Sequence, residues 1–241
     1  MFSKVKDGTL EFTKKHYLMS LLATYVDMFL YSILSSIIVF PISFIFAFGM
    51  MIPIFMLQAE NAISILGVIL LVIMYFLLFF VCMFLSIFCM GIMITSLSRA
   101  FIETKKKGKF EFGDLFTAFS INFKNVLKVH FKKALKVSAW SMLFYIPGTI
   151  KYLEYFMVDF LIAENPNMDV KEAMQISSQV TKGEKFNIFL ITIILSLIVS
   201  LGIFICCIGQ FFLIPIMYIG YVEIYWYLKE KAINMGITMQ Q

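Results

Sequence analysis

The apolar positions of this chain come in long continuous runs separated by short charged stretches. No Asp, Glu, Lys or Arg occurs between Asp27 and Arg99 except Glu60, and none between Lys185 and Glu223. A charge at the centre of a spanning helix costs about 2.5–3.5 kcal/mol, so gaps of this length are where a bilayer would lie. With about 20 apolar residues per crossing, fewer in tight bundles, the runs predict spans at residues 28–48, 64–97, 132–147, 149–163, 186–207 and 211–228. The first is expected to be kinked or interrupted at Pro41, and is followed by a short outer segment carrying Pro53 and the polar residues 58–61. The second is longer than a bilayer requires but holds no turn signal, so one tilted or projecting helix is expected.

Residues 137–163 admit two readings, one kinked helix or two passes reversing at Pro147-Gly148, because proline lacks an N–H and glycine accepts positive φ. Charge favours the second. With an inner N-terminus, five spans leave 14 of the 20 basic residues inside, whereas six leave 19 inside and only Lys151 outside. The last two spans read as a hairpin turning at Ile208-Gly209-Gln210. Tyr218, Tyr221, Tyr225, Trp226 and Tyr227 crowd its end like an interfacial aromatic belt.

Two intervening stretches have helical periodicity. Lys124, Lys128, Lys132 and Lys136 recur every four residues among Val126, Leu127, Val129 and Phe131, making a basic stripe on an amphipathic helix. The stripe is expected to face headgroups, with anionic lipids as a candidate partner. Residues 164–185 read as a cytoplasmic amphipathic helix. Pro166, Asn167 or Asp169 marks its start, Val170, Ala173, Met174 and Val180 its apolar face, and Gly183 its end.

Composition excludes several classes. At 61% apolar and 15% charged, the chain has too little polar surface for a water-soluble enzyme, a disordered chain or a secreted disulfide scaffold. The expected fold class is all-α: a single integral membrane domain, a polytopic bundle of about six transmembrane helices plus cytoplasmic amphipathic helices. Lys105, Lys106, Lys107 and Lys109 then read as a positive-inside signal and not as a nucleic-acid site. The stretch through Lys15 and His16 lacks a signal-peptide cleavage pattern, so insertion through the chain's own helices is expected.

Candidate chemistry is sparse. Cys82 and Cys89, seven residues apart beside Met83 and Met90, would suit Cu(I). With Cys206 and Cys207 they nevertheless lie in apolar runs without compact ligand spacing, so no metal and no cofactor is expected. His16 and His130 are expected at interfaces. No nucleophile elbow, zinc-protease helix, Walker loop or dinucleotide fingerprint occurs, so no catalytic residues are assigned and the chain is expected not to be an enzyme. The candidate intramembrane polar groups are Lys151, Glu154, Asp159 and Glu223. Lys151 and Glu154 stand i,i+3, close enough to pair. Asp159 need not share their face, and Glu223 is expected to snorkel toward the interface with Lys229. All four also suit interfacial positions, which is the blander reading. Helix breaks are expected at Pro147, Gly148 and Pro215. The echo between Tyr145-Ile146-Pro147 and Leu213-Ile214-Pro215 is adequately explained by chance in an Ile- and Tyr-rich chain.

Several segments come in a recognisable order: Gly113-Asp114-Leu115-Phe116, Ile146-Pro147-Gly148-Thr149-Ile150-Lys151, Ala163-Glu164-Asn165-Pro166, Ser178 with Lys182-Gly183-Glu184-Lys185-Phe186, and Ile208-Gly209 with Pro215. Over residues 110–228 the chain resembles bacterial integral membrane proteins of the domain-of-unknown-function 975 family. That family is distantly similar to the membrane domain of some glycerophosphoryl diester phosphodiesterases. The resemblance implies a six-pass protein of the bacterial cytoplasmic membrane with both termini inside, and carries over no catalytic residues. The chain departs from the family pattern in Phe186, in Ile216 and in a fifth span without tryptophan. The expected role is non-enzymatic: export, permeation or envelope maintenance. The alternative is an immunity or interaction protein that meets a membrane-active peptide or toxin in the bilayer.

Overall fold

The computed structural model of the chain describes residues 1–49, 62–120, 122–202 and 208–237. The expected outer segment with Pro53 and residues 58–61 lies outside them, as do Cys206 and Cys207. Among the described residues the chain is all-helical, without strands. The helices are α1 (Phe2–Gly49), α2 (Ala62–Lys107), α3 (Gly113–Ser120), α4 (Phe123–Leu143), α5 (Tyr145–Glu154), α6 (Val158–Glu164), α7 (Val170–Val180), α8 (Lys185–Leu201) and α9 (Ile208–Asn234).

Uninterrupted Leu, Ile, Phe and Met runs make α2 one 46-residue helix, as its lack of turn signals predicts. Lys105, Lys106 and Lys107 in its last turn complement the helix dipole, and Gly108 at φ +68° ends it in the left-handed region. Two helical stretches among the described residues, Phe2–Ile37 and Phe211–Asn234, are long and apolar enough to cross a membrane. A third exists if α7 and α8, bent by 92° at their junction, are counted together. Cys82 and Cys89 lie on α2, and their side chains are outside the described set.

The chain divides into two compact units, Met1–Met28 with Gly91–Gln241, and Phe29–Met90. In the smaller unit the described apolar side chains mostly point outward. Phe29, Phe40, Phe76 and Leu77 are each about two-thirds exposed, while Tyr75 is buried. The larger unit has a continuous core through Leu97, Phe101, Val126, Val129, Met157, Leu161, Met174, Ile188, Ile224 and Tyr225.

Within the larger unit α4 and α5 pack as an antiparallel hairpin, and α8 packs on α9. The α4–α5 reversal comes at Phe144, which is extended (φ −160°, ψ 149°), three residues before the expected Pro147-Gly148 turn. Pro147 instead sits in the first turn of α5, where its missing N–H breaks no helical bond. Gly148 lets the two helices touch, since a Cβ there would lie 2.1 Å from Ser141 Oγ. The final hairpin also differs from expectation, because Ile208, Gly209 and Gln210 already belong to α9.

Pro215 lies inside α9, where it cannot donate to the Phe211 carbonyl four residues back. That oxygen accepts Tyr25 Oη–H at 2.7 Å, and the neighbouring Phe212 carbonyl accepts Tyr17 Oη–H at 2.9 Å. Two α1 tyrosines therefore occupy carbonyls beside the missing proline N–H, and α9 runs on through Pro215 without the helix break expected there.

Candidate functional site

α7 is the amphipathic helix expected from the sequence. Asp169 caps it by accepting the Lys171 N–H at 2.9 Å, and three backbone donors hold its carboxyl below the ordinary value. Its buried face is Val170, Ala173, Met174, Ile176, Ser177 and Val180. The one hydroxyl fully inside that face has a defined task. Ser177 Oγ donates to the Glu154 carbonyl at 2.7 Å and accepts the Met157 N–H at 3.2 Å, across the turn that separates α5 from α6. Thr181 Oγ1 reaches the same carbonyl at 3.3 Å. Buried backbone groups need partners, so these side chains replace helical bonds lost at Tyr155–Phe156–Met157.

That break separates two carboxylates. Glu154, at the end of α5, has a partner on each oxygen: its Oε1 takes Lys151 Nζ at 2.9 Å and Ser178 Oγ at 3.2 Å, and its Oε2 takes Lys185 Nζ at 2.7 Å. Lys151 also lies over the Trp140 ring at 5.6 Å. Asp159, in the first turn of α6, faces α4 instead. Its Oδ2 meets Lys133 Nζ at 2.5 Å, while His130 Nδ1 stands 3.5 Å from Oδ1. That second distance is too long for a hydrogen bond, and Oδ1 has no hydrogen-bond partner although it is buried.

His130 reaches back to α2, with Nε2 2.7 Å from Thr95 Oγ1. Gly91 makes room for the ring, because a Cβ there would lie 2.5 Å from His130 Cγ. The Thr95 hydroxyl has one hydrogen and two claimants, the Gly91 carbonyl at 3.0 Å and His130 Nε2. Donation to the imidazole leaves a neutral His130 with its proton on Nδ1, facing Asp159. Donation to Gly91 requires Nε2–H instead and turns a bare Nδ1 toward the carboxylate. The Thr95 hydroxyl is thus tied to which nitrogen of a neutral His130 carries the proton. A hydroxyl–imidazole–carboxylate row also resembles a nucleophile relay, but Thr95 is 1% exposed and gives a substrate no approach.

Sequence reasoning missed Lys133 and expected His130 at an interface, whereas both side chains are buried. The signal was available: Val126, Val129, His130 and Lys133 make one buried i, i+3, i+4, i+7 stripe on α4, so two polar residues continue its apolar face. The lysine stripe runs along another face, with Lys124, Lys128 and Lys136 exposed and Lys132 half-buried; Lys136 stands 5.5 Å over the Tyr155 ring.

Glu223 is buried and pairs with Lys105 at 2.5 Å, while Lys229 turns to Glu164 at the same distance. Gly8 permits the close approach of α1 there, since a Cβ would clash with the Glu223 carboxylate at 2.3 Å. Glu164 escaped the sequence reading, yet it gathers Lys106 at 2.6 Å, Lys229 and the Tyr225 hydroxyl. Burial pushes its carboxyl up, but the hydrogen bonds from Lys106, Lys229 and Tyr225 outweigh this and hold it below the ordinary value. Among the described residues no three His, Cys, Asp or Glu side chains group as metal ligands.

Comparison with protein-family models, with curated proteins and with solved structures returns no match.

Proposed function

We propose that this is a non-enzymatic, multi-pass protein of a bacterial inner membrane, serving export, small-molecule permeation or envelope maintenance through the Asp159 centre. The observation that carries the reading is the buried Asp159 Oδ1, left without a hydrogen bond beside Lys133 and His130. Ionisable groups inside a membrane bundle are costly and mark ion or solute pathways. An unsatisfied carboxylate oxygen next to a tautomer-coupled imidazole is suited to taking up and releasing a proton or cation.

The test is a deletion strain complemented with the wild-type chain, Asp159→Asn or Glu154→Gln, and challenged with toxic solutes and membrane-active peptides. Loss of protection by Asp159→Asn at normal membrane abundance supports permeation or export; full protection by that variant overturns it. The rival reading, immunity by binding an intruding peptide, is favoured by the exposed apolar cleft between α5 and α8. It predicts protection that tolerates Asp159→Asn and fails when the cleft is filled.

For topology, the family resemblance and the 19-to-1 charge split support six crossings with both termini inside. One observation supports a different path. Six crossings put Lys151 outside and Lys185 inside, yet both ammonium groups bind the Glu154 carboxylate. A re-entrant α4–α5 hairpin reconciles the contact with the charge rule, since four crossings then leave all 20 basic residues inside. A cysteine replacing Phe144, 75% exposed at the reversal itself, decides. External labelling by an impermeant maleimide fits six crossings, and protection until the inner face is opened fits the re-entrant hairpin.

A further inference from the structure

Glu154 holds two lysines together, Lys185 on the edge of an apolar cleft and Lys151 beside it. A groove of about 620 Å³ runs between α5 and α8, lined by Ile146, Ile150, Leu153, Phe186 and Phe189, with Lys185 at its edge. This lies within the range of small-molecule sites. A second cavity of about 310 Å³ shares Leu153 and Phe189 and extends the apolar path along α4 past Ser141 and Gly148.

The polar end is built to present positive charge. Lys151 and Lys185 each give one hydrogen bond to Glu154, which leaves two N–H donors on each ammonium group. The three charges sum to +1, and Ser178 adds a third donor to the carboxylate. The lysines are 26% and 31% exposed at the side chain, against 11% for Glu154, so the accessible face is the cationic one. An apolar channel ending in two partly free ammonium groups complements a single kind of molecule, an anionic amphiphile.

We propose that this cleft binds an anionic phospholipid, with one acyl chain along α5 and α8 and the phosphate at Lys151 and Lys185. Glu154 is the positioning residue that fixes the two ammonium groups. The proposal rests on the chain lying in a bilayer, and recovery of the protein in the soluble fraction after alkaline extraction would overturn that premise separately.

Trp140, whose ring Lys151 overlies, reports on the site. The full chain carrying Trp226→Phe is reconstituted in phosphatidylcholine vesicles with a small fraction of brominated phosphatidylglycerol or brominated phosphatidylcholine. One net positive charge near a headgroup is worth about 1 kcal/mol, which converts to a preference of about fivefold for the anionic quencher. Lys151→Gln with Lys185→Gln removes the preference. Ile150→Phe, which fills the groove and leaves the ion triad intact, removes it as well, so the result does not hang on a variant whose ion network is dismantled. Lys185→Arg retains it. Equal quenching by both lipids in the parent protein means an ordinary lipid annulus and overturns the proposal. A preference that survives Ile150→Phe, or that millimolar inorganic phosphate abolishes, also overturns it, because the acyl chain would then play no part.

Discussion

The stretch Phe29–Val81 and the interior around α6 solve opposite problems with the same helical backbone. In the first, the described phenylalanines, leucines and isoleucines mostly point outward, and no Asp, Lys or Arg occurs along it. In the second, apolar side chains are inside and every nearby carboxylate has a cationic partner: Glu154 with Lys151 and Lys185, Asp159 with Lys133, Glu164 with Lys106 and Lys229. A large exposed apolar surface is unstable in water, whereas buried charge is tolerated only when paired. The contrast teaches that the first region is suited to lipid and that the second can keep charge inside an apolar core because each charge is paired.

The largest break in that contrast comes at Asp159. Asp159→Asn strands the buried Lys133 ammonium and is expected to cost about 3–5 kcal/mol, read from denaturant unfolding in detergent. Adding Lys133→Met should recover much of the loss, since it removes the unpaired buried ammonium that makes a broken pair costly. An additive loss in the double variant would show that the two groups do not act as a pair.

Phe40→Lys probes the other region. An exposed position on a water-facing helix tolerates lysine within about 0.5 kcal/mol, whereas a lipid-facing one is penalised by about 2.5–3.5 kcal/mol. The inserted fraction in a membrane-insertion assay distinguishes them, and unchanged insertion would break the lipid-facing assignment.

Ser177→Ala leaves the Met157 N–H and one bond to the Glu154 carbonyl unmade, an expected loss of about 1–3 kcal/mol. Ser178→Ala removes only a peripheral bond to Glu154 and should cost less. Equal effects from the two would show that the α5–α6 break does not depend on α7.

The smallest effect is set by pH. The Glu164 carboxyl is depressed below its ordinary 4.5, so its stabilising contribution is complete above that value. It is lost as pH falls from 4.5 through the depressed folded value. Glu164→Gln should therefore flatten the acid limb of the unfolding profile below pH 4.5 and leave its shape near neutrality unchanged.

Much of this was legible in local spacing. Continuous apolar runs predict helices without strands, i,i+3 spacing brings Lys151 to Glu154, and Asp169 with Gly183 brackets α7. The reversal at Phe144 was not legible, because Pro147-Gly148 carries the stronger turn chemistry. Proline serves equally well in the first turn of a helix, and glycine equally well as a contact point for Ser141. The Asp159 centre was half-legible, since His130 and Lys133 interrupt an otherwise apolar stripe that can be counted along α4.

By itself, then, the sequence determined the helical class, the uneven placement of charge and the pairs within one helical turn, because these follow from periodicity and solvation. Only the tertiary structure decided which charges meet across the fold: Lys133 with Asp159, Lys185 with Glu154, Lys106 and Lys229 with Glu164. Each links residues 26 to 65 positions apart. Any of the 20 basic groups could serve any carboxylate electrostatically, since Coulomb attraction names no partner. The choice falls to helix packing, which is set by close approaches such as Gly8 to Glu223 and Gly91 to His130.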